Sequence, residues 1–406
     1  MDRSRSRKRI VGLWLLGVVA GLTLVVSGWV LSSGSVAVAG LGLALAVAVA
    51  LHGKMHRPGA VPVMVWHSVS EDQDWLPWSD NISVRPSVFA AQMRALRRWG
   101  WHPVSNEALA EWMTDPAAPL PSRAVVLHFD DGYRDNDLAA VPVLRKLGFP
   151  ATIFIASDFI APAPRDDWKG YLSAAELQAL DADPLIEIAC HGRDHSRMAI
   201  AGAPVGTFTA ENWRARAELT WAHQPGNKAD WFETASPAPF SFGDDIPASD
   251  SALTARALTS AGTPESKEAQ ATRIEADLRE ARHVLEDILG REVRHICWPF
   301  DRTNDVSVTA ATQAGFEVMT GGRGYNRKGT PVTVISRTHV TDHALGGGPL
   351  WTELLVFRAK LGMSAGNLYW SPVVWGASAL RNRRFRRPQS PGQTSVSASS
   401  GKARVT

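Results

Sequence analysis

The chain has 406 residues, of which 45% are hydrophobic and 20% charged, so a packed core is feasible and global disorder is excluded. Its two cysteines exclude a disulfide-stapled scaffold and any metal site built on four thiolates. The net charge of +3 combines basic ends with an acidic body, which argues against a nucleic-acid-binding core and favours ends that meet an anionic membrane surface.

The first predicted element is a long apolar segment. Residues 10–51 contain no charged side chain, and this run is about twice as long as one helix needs to cross a bilayer. A polar break divides it into Ile10–Leu31 and Val36–Leu51, which predicts a transmembrane helical hairpin with a short second arm, a single span being the alternative. A cleaved signal peptide has a much shorter apolar region. Residues 1–57 are therefore predicted to hold one or two transmembrane helices that anchor the chain in the inner membrane.

From Val61 onward, short apolar runs alternate with helical patterns. The runs predict seven strands: Val61–Trp66, Ala124–Phe129, Ala151–Ala156, Ile186–Ala189, Arg294–Trp298, Glu317–Met319 and Val332–Ile335. The patterns between them predict five helices: Ser87–Gly100, Asn136–Gly148, Ser173–Leu180, Lys267–Gly290 and Asp305–Gly315. Strands that alternate with helices imply parallel βαβ units, and seven of them predict a barrel-like α/β domain over residues 58–345.

Residues 200–265 interrupt this alternation. They are rich in small residues and proline, and they contain Trp213, Trp221 and Trp231. We predict an insertion over one end of the domain; a disordered insert is the alternative, but three tryptophans favour packing or a substrate-facing surface. Residues 346–406 are predicted to be a helical, aromatic segment with a basic, disordered tail.

The first chemical motif is Phe129-Asp130-Asp131-Gly132, which follows a strand directly. At the carboxyl end of a parallel strand, these side chains face the rim on which barrel enzymes build their sites. Two adjacent carboxylates are best accommodated when one binds a metal and the other transfers a proton. A solvated Asp-Gly turn is the alternative.

The second motif is His191-x-x-x-His195, also placed after a strand. Histidines at positions i and i+4 fall on one face if the segment turns helically, a spacing typical of zinc ligands, although a surface pair is the alternative. Together with Asp131 they form a set of two histidines and one carboxylate with open positions for water and substrate. The set predicts one divalent metal ion, zinc.

These two motifs resemble those of the polysaccharide deacetylases with a NodB homology domain, over residues 60–342. Val63–Val69 and Cys297-Trp298-Pro299-Phe300-Asp301 resemble segments of the subgroup that deacetylates poly-β-1,6-N-acetylglucosamine. The resemblance implies a distorted (β/α)7 barrel, substrates with N-acetylated amino sugars, Asp131, His191 and His195 as metal ligands, and Asp130 as the general base. The four residues assigned to substrate binding are His67, Trp298, Pro299 and Phe300, with a core position as the alternative for the aromatic ones.

The chain also departs from the family pattern. Cys297 stands where better-known members have an arginine, and Cys190 and Cys297 are expected to be buried thiols, a disulfide between them being the alternative. The family's Leu-x-His motif is matched only loosely by residues 334–340. His339 is predicted to be the general acid, since imidazole titrates near neutrality, and His343 is the alternative.

The predicted function is metal-dependent N-deacetylation of an N-acetylated amino sugar in a cell-surface or exopolysaccharide glycan. One alternative is a deacylase or deformylase of a lipid-linked amino sugar. Another is a catalytically weak glycan-binding assembly subunit, suggested by the missing arginine and opposed by the retention of Asp130 beside the ligand set. The predicted partners are the glycan or lipid-linked sugar, the lipid bilayer and glycan-synthesis machinery, with no nucleic acid.

The charges that flank the apolar segment bear on its topology. Basic residues lie at positions 3–9, and Lys54 and Arg57 follow the second arm. The positive-inside rule then favours both ends of the hairpin, and the catalytic domain, in the cytoplasm. The arginines at 381–387 are expected to contact the same membrane surface. Against this, deacetylases that resemble the chain act outside the inner membrane, which requires a single span.

Overall fold

The structure is a computed structural model that describes residues 3–71, 75–115, 117–330 and 334–385. Its centre is a nearly closed barrel of parallel strands, which confirms the predicted distorted (β/α)7 architecture. The strands are β1 Val63–Trp66, β2 Ala124–Phe129, β3 Ala151–Ile155, β4 Ile186–Cys190, β5 His295–Cys297, β6 Val318–Gly322 and β7, which comprises Ile335–Ser336 and Thr338–His339. They are paired in chain order.

The last strand closes the barrel. The first half of β7 pairs with β6, where Ile335 lies opposite Thr320, and the second half pairs with β1, where Thr338 lies opposite Met64. The strand was predicted at Val332–Ile335, so it lies a few residues later in the chain, and positions 332 and 333 are outside the described residues. Short strands also form at His102–Pro103, which adds to β2, and at Ala60–Val61, which pairs with Asn326–Arg327.

Helices surround the barrel close to the predicted positions. Those of the barrel and its insertion are α3 Pro86–Arg98, α4 Asn106–Thr114, α5 Val141–Leu147, α6 Ala174–Asp181, α7 Ala217–Trp221, α8 Lys267–Leu289 and α9 Asp305–Gln313. α4 was not predicted, and a π-helical turn at Asn136–Ala140 precedes α5. Gly148 and Gly290 end α5 and α8 in the left-handed conformation that glycine favours. A capping box between Ser173 and Glu176 begins α6.

The amino-terminal segment forms two antiparallel helices, α1 Arg3–Val30 and α2 Gly34–Met55. Both are long and apolar enough to cross a membrane. The second helix has 22 residues, because it begins at Gly34, before the predicted start at Val36, and continues beyond the predicted end at Leu51 to Met55. A Cβ atom added to Gly28 would lie 2.4 Å from the backbone of Ala37, so small residues allow the two helices to pack closely.

The insertion is packed against the barrel, which contradicts the alternative of a disordered insert. Trp213 is buried with Phe208 and Ile246 in a small core of its own. Trp221 and Trp231 join a second cluster that includes residues from the strand ends. The insertion therefore forms one wall above the carboxyl ends of the strands.

Two carboxyl-terminal helices, α10 Leu350–Ser364 and α11 Ser371–Arg384, run along the barrel in opposite directions. Arg381 donates hydrogen bonds to Asp342 O and Asn81 Oδ1, and Arg384 donates to Gly346 O. These contacts place both arginines at the carboxyl end of the barrel, away from the apolar helices. Both arginines thus bind groups of the domain itself, and the expectation that the cluster contacts a membrane surface stays a prediction; positions 386 and 387 are outside the described residues.

Candidate active site

The two carboxylates of the first motif diverge at a tight turn after β2. Asp130 is buried, whereas Asp131 is partly exposed. Asp131 and Gly132 both adopt left-handed conformations, with φ of 73° and 70°. A Cβ atom on Gly132 would lie 2.8 Å from a methyl group of Ile155, so this turn requires glycine.

Asp131, His191 and His195 come together at the rim. The Oδ1 atom of Asp131 lies 3.3 Å from His191 Nε2 and 3.7 Å from His195 Nε2. The prediction that a helical turn aligns the histidines is wrong. They lie on a loop that bends at Gly192 and His195, with φ of 78° and 52°, and the loop brings both rings to one point.

The triad fits a cation. His191 Nδ1 lies 2.9 Å from Cys297 O, which orients the ring and leaves Nε2 facing Asp131. That Nε2 atom is buried and makes no well-aligned hydrogen bond within the described residues. One donor atom of each residue lies within 4.8 Å of the others, and two imidazoles with one carboxylate suit a divalent metal such as zinc.

A second grouping, Asp130, His191 and Cys297, is equally compact but chemically less suitable. Burial raises the pKa of the Cys297 thiol well above its usual value, and both carboxylate oxygens of Asp130 already bind the guanidinium of Arg337. Burial also raises the pKa of Cys190, to about 12. Both cysteines are free and buried, which rejects the alternative of a disulfide between them.

The sequence interpretation missed Arg337, which lies between the two halves of β7. Its guanidinium donates to both carboxylate oxygens of Asp130 at 2.8 Å and to Asp301 Oδ1 at 2.7 Å. The side chain is 1% exposed. Cys297 Sγ lies only 3.7 Å from Asp130, so β7 supplies beside this carboxylate the cation that is missing at position 297. The feature of the sequence that could have identified Arg337 is a single arginine in a short strand, two residues before His339.

Arg337 also determines the charge of Asp130. Burial opposes ionisation, but Arg337, His191 and His67 together outweigh it and hold the pKa of Asp130 well below its usual range. Asp130 is therefore ionised at neutral pH, as a proton acceptor must be.

His339 lies beside Asp301 and His67 at the edge of the site. Its Nε2 atom is 2.6 Å from Asp301 Oδ2, and its ring stacks on His67 with 5.3 Å between ring centroids. Burial opposes ionisation of Asp301, but Arg337 and His339 outweigh it and lower the pKa of that carboxyl to about 2. The ring of His343, in contrast, lies against Phe385 outside the cavity, so His343 is wrong as the alternative acid.

These groups line one cavity of about 280 Å³. His67 and Phe300 line it as predicted, and Phe300 packs on His195 with 4.1 Å between ring centroids. The assignment of Trp298 to substrate binding is wrong, because its side chain is fully buried in the barrel core. Pro299 is also wrong as a lining residue, since it is buried against Gly192 and does not border the cavity.

The insertion supplies the outer wall of the cavity. Trp221 lines the cavity beside Trp78 and Tyr171, so the surface of this wall is largely aromatic. Glu218 also lines it; its Oε2 atom is buried and has no hydrogen-bond partner in the described part of the chain. Burial raises the pKa of Glu218. The sequence interpretation did not single out this glutamate.

Comparison with known proteins agrees with this geometry. Residues 117–234, which contain Asp130, Asp131 and both histidines, match the family model described as polysaccharide deacetylase. Residues 117–234 are therefore part of a polysaccharide deacetylase domain. The family predicted from the two motifs is thereby confirmed.

The curated proteins that resemble this chain are similar to part of it. YxkH of Bacillus subtilis (strain 168), named as a polysaccharide deacetylase, is 29% identical over 142 residues, which are 35% of this chain and 46% of that protein. Poly-beta-1,6-N-acetyl-D-glucosamine N-deacetylase of Escherichia coli (strain K12) is 29% identical over 138 residues, 31% of this chain and 20% of that protein. The chain thus spans less than half the length of these relatives.

Two solved structures share the fold. A de-N-acetylase from Aggregatibacter actinomycetemcomitans aligns with a TM-score of 0.50 and 20% identity, over 68% of this chain and 93% of that one. The BpsB deacetylase domain from Bordetella bronchiseptica aligns with a TM-score of 0.50 and 18% identity, over 70% and 97%. At these identities the likeness concerns the barrel architecture alone.

Proposed function

We propose that the protein is a membrane-anchored, metal-dependent hydrolase that removes the acetyl group from an N-acetylated amino sugar of a cell-surface or exopolysaccharide glycan. The observation that carries the proposal is the pairing of an ionised carboxylate, Asp130, with the triad of Asp131, His191 and His195 in one cavity. The substrate named for the Escherichia coli relative, poly-β-1,6-N-acetyl-D-glucosamine, is of the proposed class.

The triad would hold the metal. We propose zinc, because two imidazoles and one carboxylate are ligands that suit this ion. A divalent cation at that position supplies Lewis-acid polarisation of an amide carbonyl and lowers the pKa of a water molecule. Asp130 then accepts the proton of the attacking water, and Arg337 keeps this carboxylate ionised and oriented. His339, held by Asp301, donates a proton to the leaving amine.

The remaining lining residues bind the sugar in this proposal. Phe300 and the aromatic wall of the insertion offer apolar faces to a sugar ring, and His67 borders the reacting group beside Asp130. Glu218 presents an unpartnered carboxyl oxygen that accepts a hydrogen bond from a sugar hydroxyl. The alternative of a catalytically weak binding subunit loses its basis, because Arg337 provides the cation whose absence suggested it.

The proposed organisation has an anchor at residues 1–57, a catalytic domain at 58–345 with its insertion at about 200–265, and a carboxyl-terminal segment at 346–406. Two spans of 25 and 22 residues are each long enough for a bilayer. Basic residues at the shared end of both helices favour a cytoplasmic catalytic domain, which would act on a lipid-linked or nascent glycan before its export. Labelling of Ser122→Cys by an impermeant thiol reagent in intact cells would place the domain outside instead.

An acetate-release assay tests the activity. The full chain, purified in detergent and loaded with zinc, is offered short N-acetylglucosamine oligomers, and both acetate and free amine are measured. We expect equal amounts of the two products, loss of both on chelation, and their recovery when zinc is restored. A fully metal-loaded chain that releases no acetate from any N-acetylated amino sugar contradicts the proposal.

A further inference from the structure

We infer that Lys360, on helix α10, is a positioning residue that holds the strand segment bearing the proposed proton donor, His339. The inference rests on the proposed deacetylase function and deepens it, because it gives the carboxyl-terminal helix a part in proton donation. α10 lies beyond residues 117–234, which match the family model, and beyond the proposed catalytic domain at 58–345.

The strand segment that carries His339 has little support from its own sheet. β7 pairs with β6 through Ile335 and Ser336 and with β1 through Thr338 and His339, so each side contributes two residues. The side chain of His339 is 39% exposed at the edge of the site. Its distance from Asp301 therefore depends on what else holds the backbone at this point.

Helix α10 supplies two further contacts. Lys360 Nζ donates a hydrogen bond to the backbone carbonyl of His339 at 2.9 Å. Ser364 Oγ lies 2.7 Å from Thr338 Oγ1, so these two hydroxyl groups share a hydrogen bond. Lys360 and Ser364 are four positions apart and lie on the same face of the helix. Two consecutive residues of β7 are thus bonded to one face of one helix.

α10 is itself fixed to the barrel. Phe357 and Leu361 are buried in the main core, and the ring of Phe357 packs on Trp66, the last residue of β1, with 5.9 Å between ring centroids. At the other end of the helix, buried Glu353 accepts a hydrogen bond from Ala344 N at 3.1 Å. A side chain from this helix can therefore impose a position on the strand that it contacts.

The ammonium group of Lys360 is held largely out of water. Burial and the nearby Arg381 lower its pKa to about 8, against the opposing effect of Glu353, so the group is charged at neutral pH. It forms no ion pair within the part of the chain that the structure describes; its other partner is Thr341 Oγ1, at 3.5 Å. A charged donor forms a hydrogen bond about twice as strong as a neutral one, and the carbonyl of His339 receives it.

Lys360→Met tests the assignment, because it keeps the length of the side chain but removes the donor. With N-acetylglucosamine oligomers we expect kcat to fall by about tenfold while KM and zinc content stay at the wild-type level, since only the proton donor is displaced. An analogue with a better leaving group, which needs no proton, should lose much less. Lys360→Arg, whose guanidinium also donates to a carbonyl, should recover most of the lost rate.

The matched control is Lys328→Met. Lys328 Nζ also donates to a backbone carbonyl, that of Ala118 at 3.2 Å, but neither residue borders the catalytic cavity. We expect this variant to keep the wild-type kcat. If Lys360→Met does not fold, as judged by circular dichroism, Ser364→Ala replaces it in the same comparison, with a smaller loss of kcat expected because one of the two contacts remains.

A double-mutant comparison separates positioning from general destabilisation. In the His339→Ala background, Lys360→Met should lower kcat by less than about twofold, because no acid remains to be positioned. Equal fold losses in the two backgrounds, or an unchanged kcat in the single variant, overturn the inference while leaving the deacetylase function intact. If His339→Ala alone keeps the wild-type rate, the proposed acid is wrong and the inference fails with it. A wild-type chain that releases no acetate contradicts the proposed function, on which the inference rests.

Discussion

Arg337 donates to both carboxylate oxygens of Asp130 at 2.8 Å, although the two residues are 207 positions apart in the chain. Because the guanidinium is 1% exposed, solvent screens this interaction little. The pair joins the last barrel strand to the end of β2 and places a fixed positive charge beside the proposed base.

Arg337→Lys keeps a positive charge but cannot donate two parallel hydrogen bonds to one carboxylate. We expect turnover to fall by about tenfold or more, because the ionised form of Asp130 is less stabilised and less well oriented. The pKa of Asp130 should rise, so the acidic limb of the pH–rate profile should move to higher pH. Arg302→Lys, a more exposed arginine paired with Asp250, is the control. An unchanged profile in the Arg337 variant contradicts its role.

Asp130→Asn preserves the shape of the side chain but removes its ability to accept a proton. Turnover should fall by about 10²–10⁴-fold, while the metal content measured by atomic emission stays at the wild-type level. Retention of the metal separates loss of the base from loss of the site. Near-normal turnover would reject Asp130 as the base.

The double substitution His191→Ala, His195→Ala removes two of the three proposed ligands. We expect metal binding to be lost together with activity, as measured by isothermal titration of the metal-free chain with zinc. His343→Ala is the matched control, because its ring packs against Phe385 outside the cavity. Stoichiometric zinc in the double variant would refute the triad as the metal site.

His339→Ala removes the proposed proton donor while Asp130 and the triad remain. Turnover should fall, because the leaving amine then receives no proton from this position. A substrate analogue with a better leaving group, which needs no proton, should be much less affected. If the variant retains the wild-type rate on both substrates, the acid is another residue.

The ionisation of Asp301 makes the free energy of unfolding depend on pH. Its pKa is lowered to about 2 in the folded chain, from about 4 in an unfolded one, so its contribution is complete above pH 4 and is lost as the pH falls towards 2. Wild type should exceed Asp301→Asn in free energy of unfolding by about 2 kcal/mol near neutrality. The difference should shrink steadily below pH 4 when denaturation is followed by tryptophan fluorescence. If the difference in free energy of unfolding between wild type and Asp301→Asn grows as the pH falls, the pKa of Asp301 is not lowered by folding and the prediction is wrong.

Local sequence determined the strands, the main helices and the family. Apolar runs, periodic patterns and glycine at helix ends act over a few residues, so they can be read without knowing the fold. The triad was also accessible, because Asp131 and the two histidines lie in short motifs after strands, and parallel strands bring such ends to one rim.

Tertiary structure alone decided which residues complete the site. Arg337 pairs with Asp130 only because β7 closes the barrel against β1, and no local pattern encodes that contact. Trp298 and Phe300 lie two residues apart, yet one is buried in the core and the other lines the cavity, because the chain turns at Phe300 with φ of 59°. The position of Arg381 followed from the direction of α11, which depends on where α10 ends. Such long-range contacts and backbone turns depend on how distant segments pack together, and for that reason the sequence could propose the metal site but not the partners that hold its base.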